Sequence, residues 1–414
     1  MMADVTLIFS VVAAIIAVGF LGELFFKKTG VPVFVFLILM GILMGPVLNV
    51  LPRATLLPSL GVFAELTLLM MLFYGGMDTK LGGAAKGGGR AFVQVAVYAA
   101  GSTVAIAVAT MVLLRWDLIQ SFIFASMIGG ETTAAVVIPL SRSLKLPDVT
   151  VAFLTFESAL NSIFSIVLFF ALVGVYETGT GSWVVALSSL AANFSVGIVL
   201  GALFSVAWIL LLHSLQQQKY TYVLTLGLVL VTYVVSARLG GSGELSVLIF
   251  GIVLGNYSLV NRLANWHLSM DVLQERLSVF QEEISFLMAT LFFVFLGLTF
   301  EVSSSLVFAN LAVSILILCI LILFRTAATY ASTRKSELSK DRGPIILMCA
   351  QGLVPATLAI IAVNIGIPLG NSFLNVVTYV IILTNMVAAS GAVWRMHEHR
   401  NGAEQAQAEA DTIY

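Results

Sequence analysis

Charge is what this sequence has least of. Asp, Glu, Lys and Arg together make up only 10% of its 414 residues, where a soluble domain carries about 25%, so a water-facing surface cannot be built from this chain. Neither sign is in excess: 20 Lys and Arg stand against 21 Asp and Glu, a net charge of -1. With no basic field to hold a phosphate backbone, nucleic acid is excluded as a partner. Cysteine is nearly absent as well. Cys319 and Cys349 both sit in apolar stretches and read as small packing residues rather than as a disulfide framework. No constellation of an enzyme site is present, no cofactor is called for, and no soft metal ligands are offered.

What the chain does have is apolar sequence, 60% of it. Runs of about 18 residues or more, enough to cross a hydrocarbon core of roughly 30 Å as a helix, recur from end to end. The first, 5–26, has no basic residue before it and is too long for a signal-peptide core, so it reads as a retained helix. Cutting at charges and turn signals predicts about thirteen spans: 5–26, 31–50, 61–76, 91–114, 118–140, 150–175, 182–212, 221–239, 244–260, 280–299, 305–330, 343–364 and 370–394. The reading is an all-α polytopic membrane protein in which 1–395 form one transmembrane domain: a first repeat 5–175, a linker helix 182–212 and a second repeat 221–394. A polar cytoplasmic tail, 396–414, follows. Cytoplasmic loops collect Lys and Arg. With the N-terminus outside, all of the 20 except Arg53, Arg115, Arg238 and the intramembrane Arg325 fall on the cytoplasmic side. That asymmetry predicts an odd number of spans in the cell membrane, with the C-terminus inside.

The two halves share sequence. Leu37-Ile38 followed by Gly41 to Gly45 in the second span matches Leu248-Ile249 followed by Gly251 to Gly255 in the ninth. Small residues spaced by four also serve ordinary helix packing, but the third helices extend the likeness. Leu72 to Asp78 and Phe295 to Glu301 are both apolar runs closing on glycine and an acid. Equivalent helices stand seven spans apart and so run in opposite directions, an inverted repeat of the kind found in secondary transporters. Such proteins place their site where matched helices are interrupted. The fifth span carries Gly129-Gly130-Glu131-Thr132-Thr133, and the twelfth carries Gln351-Gly352-Leu353-Val354-Pro355.

An ionised group at the bilayer centre costs about 2.5–3.5 kcal/mol on insertion scales, which makes each one a functional candidate. Three stand out: Glu131, Glu157 and Arg325. Arg325 keeps its proton and needs a counter-charge, for which Glu157 is the simplest choice. Their pair either locks two helices together or contacts the ion directly. Glu131 has no obvious basic partner; burial opposes its charge, while the N-terminus of the following half-helix favours it. A carboxylate so placed binds a cation or a proton, and that competition is itself an exchange mechanism. Helix spacing sets Glu157 with Asn161 and Ser158 with Ser162 on one polar stripe. Oxygens of Thr132, Thr133, Ser158, Asn161 and Ser162 are then available to complete a hard-cation shell around Glu131.

At these residues the sequence resembles the monovalent cation:proton antiporter superfamily, the prokaryotic sodium/proton and potassium/proton exchangers. The likeness runs through Val31-Pro32 into Gly41 to Pro46, Leu72 to Asp78, Thr132 to Val137, Glu157 to Ser162, Arg325 and Gly352-Leu353. The resemblance implies a thirteen-helix fold with a dimerisation domain, hence a homodimer, and a mobile core of crossed helices working by alternating access. It also implies the Glu157–Arg325 ion pair. The substrates it implies are a monovalent cation, Na+ or K+, and the proton, with no other metal. One departure matters. Electroneutral members have Asn-Asp and electrogenic ones Asp-Asp where this chain has Asn161-Ser162, and many have Thr-Asp where Glu131-Thr132 stands. The titratable carboxylate has then moved from helix six to Glu131, and with Glu157 neutralised the expected exchange is one for one and electroneutral.

Three rivals remain: an uncoupled cation channel or uniporter, a sodium-coupled organic-anion symporter of related fold, and a non-transporting sensor. Lesser features read as follows: Lys86 to Arg90 as a flexible cytoplasmic turn, His397-Glu398-His399 as a solvated helix end, Glu282-Glu283 as the start of span ten, and Glu65 as an interfacial residue.

Overall fold

A computed structural model describes residues 13–24, 32–49, 53–78, 84–178, 183–214, 220–264, 271–298, 300, 304–370 and 372–391. No strand occurs among them. The helices are α1 (Ala13–Leu24), α2 (Val33–Ile42), continued by a π-helical turn Leu43–Val47, α3 (Arg53–Asp78), α4 (Ala84–Leu114), α5 (Leu118–Ile128), α6 (Ala134–Ser143), α7 (Asp148–Thr178) and α8 (Trp183–Ser214). There follow α9 (Thr221–Arg238), α10 (Gly243–Gly255), α11 (Tyr257–Leu263), α12 (Asp271–Leu298), α13 (Ser304–Ser332), α14 (Arg342–Leu347) and α15 (Leu353–Asn364), and last α16 (Ser372–Gly391). Six of these, α4, α7, α8, α9, α13 and α16, are long and apolar enough to cross a membrane unaided, and α10 with α11, bent by 74° at their junction, meets the same test only as a pair. Burial is that of a chain surrounded by lipid: Val112, Val199, Phe308 and Leu323 face outward, while Glu131, Glu157 and Arg325 are fully enclosed.

Two groups of helices form. In one, α10 packs on α3, α8 and α9, and α12 packs on α2 and α3; in the other, α4, α5, α7, α13 and α14 pack together, and α15 bridges the two, lying against α3 as well as α5 and α7. The first group is joined at very close range through small residues. A Cβ on Gly41 would overlap the Val294 carbonyl and one on Gly297 the Ile38 carbonyl, which brings α2 against α12. A Cβ on Gly251 would likewise overlap the Phe73 carbonyl, bringing α10 against α3. Each is the backbone-to-backbone approach that only glycine permits.

Two expectations need correction. Lys86 to Arg90 do not form a turn: they lie in the first turns of α4. The Arg90 guanidinium donates to the carbonyls of Ser332 (3.1 Å) and Arg334 (3.0 Å) at the end of α13, an anchor that outweighs the poor helix propensity of three glycines. Glu282-Glu283 do not begin a helix either, because α12 starts at Asp271 and the charged stretch continues it. The predicted tail 396–414, with His397 and His399, and Glu301 lie outside the described residues.

Candidate functional site

The interruptions fall where glycine loosens the backbone. After Ile128 the chain is extended through Thr133 before α6 begins, and Gly130 takes φ +73° there. A side chain on Gly130 would be strained and would also overlap the Ala99 backbone of α4. The second interruption runs from Met348 to Gly352, earlier than the sequence implied. Pro355 is not part of it, standing in the first turn of α15, where an N–H is dispensable. The two interruptions are bonded to each other. The Thr133 N–H donates to the Ala350 carbonyl (2.8 Å), and the Gln351 side-chain amide donates to the Ile128 carbonyl (2.6 Å), capping the end of α5. A Cβ on Gly352 would come within 2.8 Å of Thr133, so the crossing itself requires glycine.

Around this crossing the side chains separate into a saturated pair and an isolated acid. Arg325 of α13 grips Glu157 of α7 with both prongs, Nη1 to Oε1 at 2.8 Å and Nη2 to Oε2 at 3.2 Å. Its Nε donates to the Ile345 carbonyl at 2.8 Å, and the guanidinium carbon stands 5.1 Å above the Tyr98 ring. Pairing on this scale is what a permanent charge demands in a medium unable to solvate it. Asn161, one turn along α7, donates to Glu157 Oε1 (2.8 Å) and to the Thr132 hydroxyl (3.0 Å), which in turn donates to Ser158 (3.3 Å). Thr132, Ser158 and Asn161 thus join the first interruption to α7. Glu131 is fully buried, and neither carboxylate oxygen meets the geometry of a hydrogen bond with a described group. The Gly352 N–H and the Ser162 hydroxyl face it most closely, and Glu157 lies near. Thr133 sits at the crossing with its side chain against Gly352.

Sequence reasoning missed Tyr98, Gln351 and Asn385 as members of this site. Asn385 of α16 donates to the Gln351 carbonyl (2.6 Å), and Thr384 accepts from the Gln351 N–H (3.2 Å). The one available signal was the position of Gln351 beside the glycine of the interruption. Glu65 belongs elsewhere, accepting from the Tyr233 hydroxyl of α9. Among the described residues no cluster of three His, Cys, Asp or Glu side chains is arranged to hold a metal, and Cys319 and Cys349 are both free thiols.

Comparison with known proteins agrees with this architecture. The chain is similar to a K(+)/H(+) antiporter NhaP2 of Shewanella sp. (strain ANA-3), 27% identical over 380 residues, which are 87% of this chain and 61% of that protein. It therefore spans about three fifths of that relative's length. It is also similar to a Na(+)/H(+) antiporter NhaP of Pseudomonas aeruginosa, 25% identical over 193 residues, 46% of this chain and 44% of that protein. The fold matches that of the sodium proton antiporter MjNhaP1 from Methanocaldococcus jannaschii at pH 8 with a TM-score of 0.79, at 19% identity, over 94% of this chain and 98% of the other. Residues 11–395 match the family described as sodium/hydrogen exchanger, transmembrane, and the chain belongs to that family.

Proposed function

We propose that this protein exchanges a monovalent cation, Na+ or K+, for a proton across the cell membrane, and that the Glu131 carboxylate takes the two in turn. One observation carries the reading: Glu131 is fully enclosed at the crossing with no cationic partner among the described residues, while the neighbouring Glu157 is held by Arg325. A carboxylate removed from water must be neutralised. An alkali ion or a proton does this equally well, but not both at once, and that competition couples the two flows. Oxygens of Thr132, Thr133, Ser158, Asn161 and Ser162 stand around the same crossing and suit a dehydrated alkali ion. The nearness of Glu131 to Ser162 is consistent with a relocated acid, since Ser162 stands where other members carry an aspartate.

The paired glycine contacts, α2 on α12 and α10 on α3, are what two inverted repeats would produce, within thirteen crossings and an outward N-terminus. Alternating access then moves the crossing between the two sides, in a protein that works as a homodimer. With one unpaired acid, each cation leaving is matched by one proton entering, so exchange is electroneutral. In proteoliposomes the rate is expected to be the same with and without an imposed membrane potential; a strongly voltage-dependent rate would overturn the one-acid scheme. Glu131→Gln is expected to abolish proton-coupled exchange while the protein stays folded in detergent. Unaltered exchange would remove Glu131 from the mechanism.

A further inference from the structure

Three fully buried amide side chains converge on the crossing: Asn161 of α7, Gln351 in the second interruption and Asn385 of α16. In most proteins the oxygen and nitrogen of such a group are hard to tell apart. Here the partners decide. Asn161 Nδ2 meets the arginine-bound carboxylate of Glu157 (2.8 Å). Gln351 Nε2 meets the Ile128 carbonyl (2.6 Å), and Asn385 Nδ2 meets the carbonyls of Gln351 (2.6 Å) and Ile381 (2.8 Å). Each of these groups can only accept, so a flipped amide would set oxygen against oxygen. All three amide oxygens are thereby fixed on the far side, and none accepts a hydrogen bond from a described residue.

Buried acceptors left this way are costly, and these belong to the segments that enclose Glu131. Gln351 caps the half-helix that leads to Glu131, its neighbour Gly352 presents an N–H to that carboxylate, and Asn161 bonds the adjoining Thr132. A buried amide oxygen left without a donor suits a cation and not an anion. Amide oxygens can take the place of an alkali ion's water shell.

We propose that the Gln351 and Asn385 side-chain oxygens form an uncharged subsite for the dehydrated alkali cation, contributed by the second half of the chain at the crossing that encloses Glu131. The identity of the ligand rests on the exchanger reading; the subsite itself rests on the fixed amides. Because both ligands are neutral, they hold the ion without altering the one-for-one charge balance.

The test measures binding of radioactive rubidium and sodium ions to the purified full-length chain in detergent, alongside exchange in proteoliposomes. Gln351→Met and Asn385→Leu, which delete the oxygens, are expected to weaken cation binding by about tenfold or more. A melting curve in detergent confirms that each variant is folded. Binding unchanged in both deletions overturns the proposal and leaves the exchanger standing. So does a loss of binding that appears only together with a lowered melting temperature, since the amides would then act only through the fold. An unaltered protein that neither binds alkali ions nor exchanges them overturns the exchanger reading, and this subsite with it.

Discussion

Arg325 shows how far one residue can be read. A guanidinium inside an apolar helix needs a fixed negative partner, and the only acid on the neighbouring polar stripe was Glu157, so the pair was legible from sequence and its bidentate geometry followed. Breaking a buried pair leaves an uncompensated charge. Arg325→Ala is accordingly expected to cost about 3–5 kcal/mol of stability, read as a lowered melting temperature in detergent. Replacing both partners with apolar residues, Glu157→Leu with Arg325→Met, is expected to recover much of that loss. A double variant as unstable as the single one would assign the pair a role beyond charge compensation. Tyr98, Gln351 and Asn385 were not legible in the same way. They carry no formal charge, a sequence gives no reason to demand partners for them, and only the direction of their hydrogen bonds sets them apart from ordinary polar residues in a helix.

At the scale of elements, glycine means different things in different surroundings. Gly130 holds a left-handed backbone against α4. Gly130→Ala is expected to destabilise by at least the roughly 1–2 kcal/mol of the left-handed conformation, with the collision against Ala99 added, and to lower the yield of folded protein. Gly89 lies inside α4 with no atom near the position of a Cβ. Gly89→Ala is expected to stabilise by about 0.5–1 kcal/mol, a rise in melting temperature where the first substitution gives a fall. The interruption at Gly129-Gly130 was readable because glycine and an acid coincide mid-span. The glycines next to Lys86 misled for the opposite reason, since helix propensity is overridden once Arg90 reaches the end of α13. The start of α12 was misjudged because charges end an apolar run without ending the helix that carries it.

For the molecule as a whole, scarcity of charge and the length of apolar runs were enough to give the fold class. Which helices touch was not legible, because contact between α2 and α12 or α3 and α10 is a distance between remote segments, marked in sequence only by glycine spacing. Orientation is open to direct measurement. In a background lacking Cys319 and Cys349, Arg115→Cys and Arg238→Cys are expected to react with a membrane-impermeant maleimide added outside, and Arg142→Cys only after permeabilisation; the reverse pattern would invert the topology. The bond from the Thr133 N–H to the Ala350 carbonyl carries a consequence of its own. It belongs to no helical ladder, so its proton can pass to deuterated solvent only when the two interrupted helices separate. Slow deuterium uptake at Thr133, comparable with the middle of α7, would show that the two interrupted segments stay joined as a single unit.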